Sequence, residues 1–163
     1  MKVINLVYNK DIPKDPNTAA ELILSKFHNA LETKIQQHCH KEFNALASEV
    51  QYKYGKKLME FVQVDNGGKM GIGQRMKKKA EGTKASWPDV QLVLGSTCGK
   101  YSQVIFVEFK RIDKSYSKLK IEKEQIAYHD WLNEIGFKAY ITNNPIFFRD
   151  VILGEVREFY KII

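Results

Sequence analysis

The sequence predicts a mixed α/β domain: a helix, three strands, a second helix and a fourth strand, forming a mixed central sheet flanked by helices. Three observations predict it. From Ala19 to Val50 apolar residues recur every three or four positions, the period of an amphipathic helix. Three short runs rich in β-branched and aromatic residues follow, at 58–64, 89–94 and 103–110. A second helical period and one last apolar run then complete the pattern.

In chain order, residues 11–17 (DIPKDPN) carry two prolines and read as a turn, with Thr18 or Asn17 as the cap of the following helix. The apolar stripe of that helix is Leu24, Phe27, Leu31, Ile35, Cys39, Phe43, Leu46 and Val50, long enough to be broken once, and Tyr54-Gly55-Lys56-Lys57 reads as its end. Leu58–Val64 is a first strand. The stretch from Asp65 to Trp87 holds five glycines and six basic residues and reads as loop, with a helical turn around Gln74–Ala80. Asp89–Leu94 and Gln103–Lys110 are strands joined by a turn at 95–99, hence a hairpin. Lys118–Ile135 is helical through Ile121, Ile126, Trp131, Leu132 and Ile135, with Gly136 as its stop. Phe137–Thr142 is a fourth strand, and the tail from about Ile146 is a last helix. The organisation expected is one domain over 1–163: a helical part over 1–57, a core over 58–142 and a C-terminal helix over 143–163.

Composition excludes several classes. Hydrophobic residues make up 44% and aromatics 12%, too much apolar content for a disordered chain. The two cysteines, Cys39 and Cys98, lie far apart in no CxxC pattern, which argues against a disulfide framework or structural zinc and for a reducing, cytoplasmic setting. The N-terminus is too short and polar for a secretory signal, and no apolar run approaches the roughly 18 residues of a membrane span. The net charge is +7, and residues 60–123 hold thirteen Lys/Arg against seven Asp/Glu, so nearly all the excess lies mid-chain. That is an electrostatic footprint suited to a polyanion such as nucleic acid, or simply a solvated face.

The strand VEFKR carries the chemistry. Side chains alternate along a strand, so Glu108 and Lys110 share one face, while Val107 and Phe109 point to the other and suit a core. If the two strands pair through the turn at 95–99, Asp89, which follows Pro88, lies near Glu108. Two carboxylates and one ammonium then share a site. Such carboxylates suit a hard divalent ion such as Mg²⁺, which polarises a phosphate and acidifies a bound water. Lys110 can hold that water and offset developing charge. By itself an E-x-K on a strand is most often an exposed ion pair; the hairpin-length gap, the basic loop and the following helix raise its weight.

Residues 62–142 resemble the VRR-NUC (virus-type replication-repair nuclease) branch of the PD-(D/E)XK nuclease superfamily. The resemblance is carried by Asn66-Gly67-Gly68, the basic run Arg75–Lys79, Gly82, Pro88-Asp89, Val107-Glu108-Phe109-Lys110-Arg111, Gln125, Trp131-Leu132 and Gly136. One departure is Trp87 before Pro88, where the family usually has a glycine or small residue nearby.

The resemblance implies a restriction-endonuclease-like core in αβββαβ order. It also implies DNA cleavage with Mg²⁺ or Mn²⁺, with Asp89 and Glu108 as the motif acids, Lys110 as the motif lysine and the main-chain carbonyl of Phe109 as a further metal ligand. A glutamate of the first helix completes the site in the family. Glu32 is favoured because Glu32-Thr33-Lys34-Ile35-Gln36 matches the family's E-x-x-I-Q, with Glu42 as the alternative. Gln125 would face the site and position water or phosphate. Arg75, Lys77, Lys78, Lys79, Lys84 and Arg111 are candidates for phosphate contacts. Stand-alone viral members resemble Holliday-junction resolvases and act as dimers, so the expectation is a homodimeric endonuclease selective for branched DNA. Its alternatives are a restriction-like or exonucleolytic relative and a non-catalytic DNA-binding module of the same fold.

Other features are set aside. GGKMGIG lacks the G-K-[ST] ending of a phosphate loop. His38 and His40 are two apart and face different sides of a helix. Tyr128, Trp131 and Tyr140 could stack on bases, but their spacing fits core packing better.

Overall fold

In the computed structural model, which describes residues 4–64, 87–112 and 123–162, the chain runs β1 (Ile4–Asn5), α1 (Ala19–Ser25), α2 (Glu32–Tyr54), β2 (Met59–Gln63), β3 (Val90–Gly95), β4 (Ser102–Phe109), α3 (Lys123–Glu134), β5 (Lys138–Thr142), α4 (Pro145–Phe147) and α5 (Leu153–Ile162). A 3-10 turn lies at Asn9–Asp11 and a π-helical turn at Phe148–Ile152. The result is a mixed α/β fold around a five-stranded sheet in the order β1-β5-β4-β3-β2. β2, β3 and β4 are antiparallel, whereas β4, β5 and β1 run parallel. The expected helical turn at 74–80, the start of the helix at 118–122 and the basic residues Arg75, Lys77, Lys78, Lys79 and Lys84 lie outside the described residues.

The long amphipathic period divides into two helices. Thr18 caps α1 in a capping box: its Oγ1 accepts from the Glu21 N–H, and the Glu21 carboxylate accepts from the Thr18 N–H. The chain breaks over residues 26–31, where Asn29 adopts φ +53. The break resets the helical phase, so Leu31 is no part of the buried stripe; it sits at the N-cap of α2 and is 64% exposed. From there Ile35, Cys39, Phe43, Leu46 and Val50 recur every three or four residues and are all buried. Gly55, at φ +71, ends α2 by donating to the Gln51 carbonyl in the left-handed conformation that glycine tolerates.

The sheet has two unlike faces. Val90, Leu92 and Leu94 of β3 and Ile105, Val107 and Phe109 of β4 are wholly buried against α2 and the C-terminal helices. Phe148 and Ile152 of the π-helical turn and Leu153 of α5 join this core. The opposite face carries Phe106, Glu108 and Ala139 and is covered over β4 and β5 by α3, through Leu132. Val93 and Val62, on the same face of β3 and β2, are each 37% exposed, so α3 covers only half of that side.

β1 has no counterpart in the pattern read from the sequence. It pairs in parallel with β5 through Ile4↔Ile141 and Asn5↔Thr142. Asn143 secures it: fully buried, its side chain accepts from the Val7 N–H (2.6 Å) and donates to the carbonyls of Val7 (2.8 Å) and Arg111 (3.1 Å). Among the described residues no helix is long and apolar enough to cross a membrane.

Candidate active site

The hairpin register decides where the acids meet. Val90 faces Val107 across the β3–β4 ladder, which sets Asp89 beside Glu108 at its end. Pro88, which has no N–H to donate, is tolerated because it precedes the strand. Asp89 is then tied on both sides. Its carbonyl accepts from the Val64 N–H (2.8 Å), its N–H donates to Glu108 Oε2 (3.2 Å), and its own Oδ2 accepts from the Phe109 N–H (3.0 Å). Each carboxylate thus holds a main-chain N–H of the facing segment: Glu108 that of Asp89, and Asp89 that of Phe109.

Glu108 is the centre. Its Oε1 accepts from Lys110 Nζ (2.6 Å) and from Gln125 Nε2 (2.7 Å) on α3. Lys110 lies one residue past β4 and reaches back along the face that Glu108 occupies. Alternation placed both on the face away from the main core, but that face is not open here. Under α3, Glu108 is only 3% exposed and Lys110 9%. Burial raises the Glu108 pKa to about 7, the charge of Asp89 adds to the rise, and Lys110 opposes it.

Glu32, the N-terminal residue of α2, is the helical acid whose electrostatics are tied to the site. The Ile112 N–H donates to the Ala30 carbonyl (2.9 Å), which staples the chain leaving β4 to the loop before α2. That bond brings Glu32 within the electrostatic reach of Lys110 and Asp89. Partial desolvation lifts the Glu32 pKa, Lys110 opposes the lift, Asp89 adds to it, and the Arg111 N–H opposes it. Glu42 is turned elsewhere, toward His38 at 3.7 Å. Three turns of helix separate the two glutamates along the axis, so only one can serve this site. Arg111 is exposed beside the site.

Two features were not legible in the motifs. His129, four residues after Gln125 on α3, is fully buried, with Nδ1 2.8 Å from the Gln125 carbonyl. A carbonyl only accepts, so Nδ1 carries the proton and Nε2 is a bare acceptor. Burial lowers the pKa of the ring and keeps it neutral. Among the described residues, His129 Nε2 and Gln125 Oε1 are both buried without a hydrogen-bond partner. The i, i+4 spacing is the signal that would have paired them. The second feature is Asn143, whose three bonds tie the segment after Lys110 to the rest of the sheet.

The flanking aromatic residues divide. Tyr140 is buried and donates to Glu155 Oε1 (2.7 Å), as core packing requires. Trp131 departs from the core expectation: it is 44% exposed, because helix α3 buries only the face carrying His129 and Leu132. His38 stands edge-on to Phe27 while His40 lies against Phe61, on separate sides of α2.

The groups that could offer oxygen to an ion here are the carboxylates of Asp89, Glu108 and Glu32, with the Phe109 carbonyl added by the resemblance. All are hard oxygen ligands of the kind that Mg²⁺ and Mn²⁺ take. Among the described residues, no three His, Cys, Asp or Glu side chains already form a metal-holding group. The fit lies in charge: burial first, and then the neighbouring Asp89 carboxylate, push the Glu108 pKa up, and a cation would offset the crowded negative charge. No protein-family model, curated protein or solved structure matches the chain.

Proposed function

We propose that this chain is a metal-dependent nuclease with a PD-(D/E)XK core, hydrolysing DNA phosphodiester bonds and selective for branched DNA. One observation carries the reading: at the end of a hairpin the Asp89 N–H donates to Glu108 and the Phe109 N–H to Asp89, and Lys110 and Gln125 both donate to the same Glu108 oxygen. The run α2-β2-β3-β4-α3-β5 supports it, since it follows the αβββαβ order of such a core.

Asp89 and Glu108, with Glu32 and the Phe109 carbonyl, would hold Mg²⁺ or Mn²⁺. When bound, such an ion supplies Lewis-acid polarisation of the phosphate and lowers the pKa of water. The chain supplies the remaining work. The Asp89–Phe109 and Asp89–Glu108 bonds tie Asp89, just before β3, to the end of β4, so the positions of both acids are set before substrate arrives. Lys110 places a positive charge where negative charge develops on the phosphate. Gln125, held through its amide to Glu108, orients water or a phosphate oxygen. The +7 net charge of the chain draws the DNA in. A second copy would allow both strands of a junction to be cut together, and light scattering that finds a strict monomer at working concentration removes that part.

The test is a cleavage assay on four-way junctions, flaps, linear duplexes and single strands with Mg²⁺ or Mn²⁺, run beside Lys110→Ala and Asp89→Ala. Cutting by the wild type, lost in both variants while Asp89→Ala still binds DNA, supports the reading. Binding without divalent-dependent cutting by the wild type refutes it in favour of a non-catalytic DNA-binding module.

A further inference from the structure

A row of aromatic rings leads away from the site along the face that carries Glu108. Phe106 is two residues before Glu108 on β4, so the two side chains share that face about 7 Å apart. The ring of Trp87 stands 5.8 Å from Phe106 and 5.6 Å from Tyr128, and Tyr128 is 5.2 Å from Trp131. Trp87 immediately precedes Pro88-Asp89, and Tyr128 lies one helical turn past Gln125. The row therefore starts among residues that neighbour the candidate catalytic groups and ends at Trp131, 44% exposed. Phe137, 41% exposed, meets Phe106 at 5.5 Å and widens the apolar surface.

We propose that this row, with Trp131 as its outer member, is a stacking platform for an unpaired base of the DNA strand being cut. The inference rests on the nuclease reading above and names the substrate feature that the site selects. A base inside a duplex is stacked on both faces and offers none to a side chain, whereas a splayed base offers its π-face. Charge separates base from backbone. Asp130 and Glu134 lie exposed next to Trp131 and repel phosphates from the helix surface. Lys110 and Arg111 lie at the other end of the row, where the phosphate belongs. An apolar surface edged by carboxylates and continuous with a phosphate-cleaving site fits a base at one end and its backbone at the other.

Two tryptophans make the test direct, since Trp87 and Trp131 are the only ones in the chain. The full chain is titrated in EDTA with a junction or flap carrying unpaired bases, a blunt duplex of the same length and a single strand, following tryptophan emission and affinity. The expected result is quenching by the flap and the single strand but not by the blunt duplex, with a large share of it lost in Trp131→Phe. Trp131→Ala should weaken flap binding about five- to 150-fold, the worth of one stacked base, and leave blunt-duplex affinity unchanged. Equal weakening on all three DNAs, or quenching unaffected by Trp131→Phe, overturns the platform while leaving the nuclease reading intact. A dimer that Trp131→Ala converts to monomer with DNA affinity unchanged overturns it too, because the surface then belongs to a second copy. No binding of any DNA by the wild type sinks both readings.

Discussion

Replacing Glu108 with glutamine should stabilise this protein at alkaline pH and do little at acid pH. Glu108 is 3% exposed, and its pKa rises from 4.5 to about 7, first because burial penalises the charged form and then because Asp89 stands beside it. A carboxyl with a raised folded pKa contributes stability that is fully present below about 4.5 and lost as pH climbs through about 7. At about 1.4 kcal/mol per pH unit, that span amounts to about 3 kcal/mol. Glu108→Gln imitates the protonated side chain and keeps an acceptor for Lys110. It should therefore exceed the wild type by about 3 kcal/mol at pH 8.5 and match it within about 1 kcal/mol at pH 4.5, at the cost of activity. Urea unfolding at both pH values, without divalent ions, measures this. A variant less stable than wild type at pH 8.5, or a gain equal at both pH values, refutes the claim that a crowded, desolvated carboxylate sits at the centre of the site.

The remaining predictions concern placement. Glu32→Gln should lower cleavage about ten- to a hundredfold while Glu42→Gln leaves it unchanged, and equal effects would return the choice between them to open. Mg²⁺ at a hundred times its Kd should stabilise the wild type by about 2.7 kcal/mol in thermal melts, and this gain should vanish in Asp89→Asn. Asn143→Ala leaves three main-chain groups without their partner and should cost about 3 kcal/mol in denaturant midpoint measurements. Gly136, at φ +94, ends α3 while Phe137 donates to the Leu132 carbonyl, so Gly136→Ala should cost about 1 kcal/mol in thermal unfolding.

The local features of this molecule were legible in its sequence because short-range rules generate them. Alternation put Glu108 on the face opposite Val107 and Phe109, and the short turn after β3 brought Asp89 to it, since a hairpin register depends only on its own turn and pleat. The buried stripe of α2 and the stop at Gly136 follow from a helical period and one left-handed residue. Tertiary structure alone decided the rest. β1 exists because β5, more than a hundred residues away, offers it a parallel neighbour. Glu32 rather than Glu42 approaches the site because Ile112 binds Ala30, a bond that no periodicity encodes. The pKa of Glu108 and the burial of His129 depend on α3 lying over that half of the sheet. Desolvation is a property of what covers a group, and the covering element comes from a distant part of the chain.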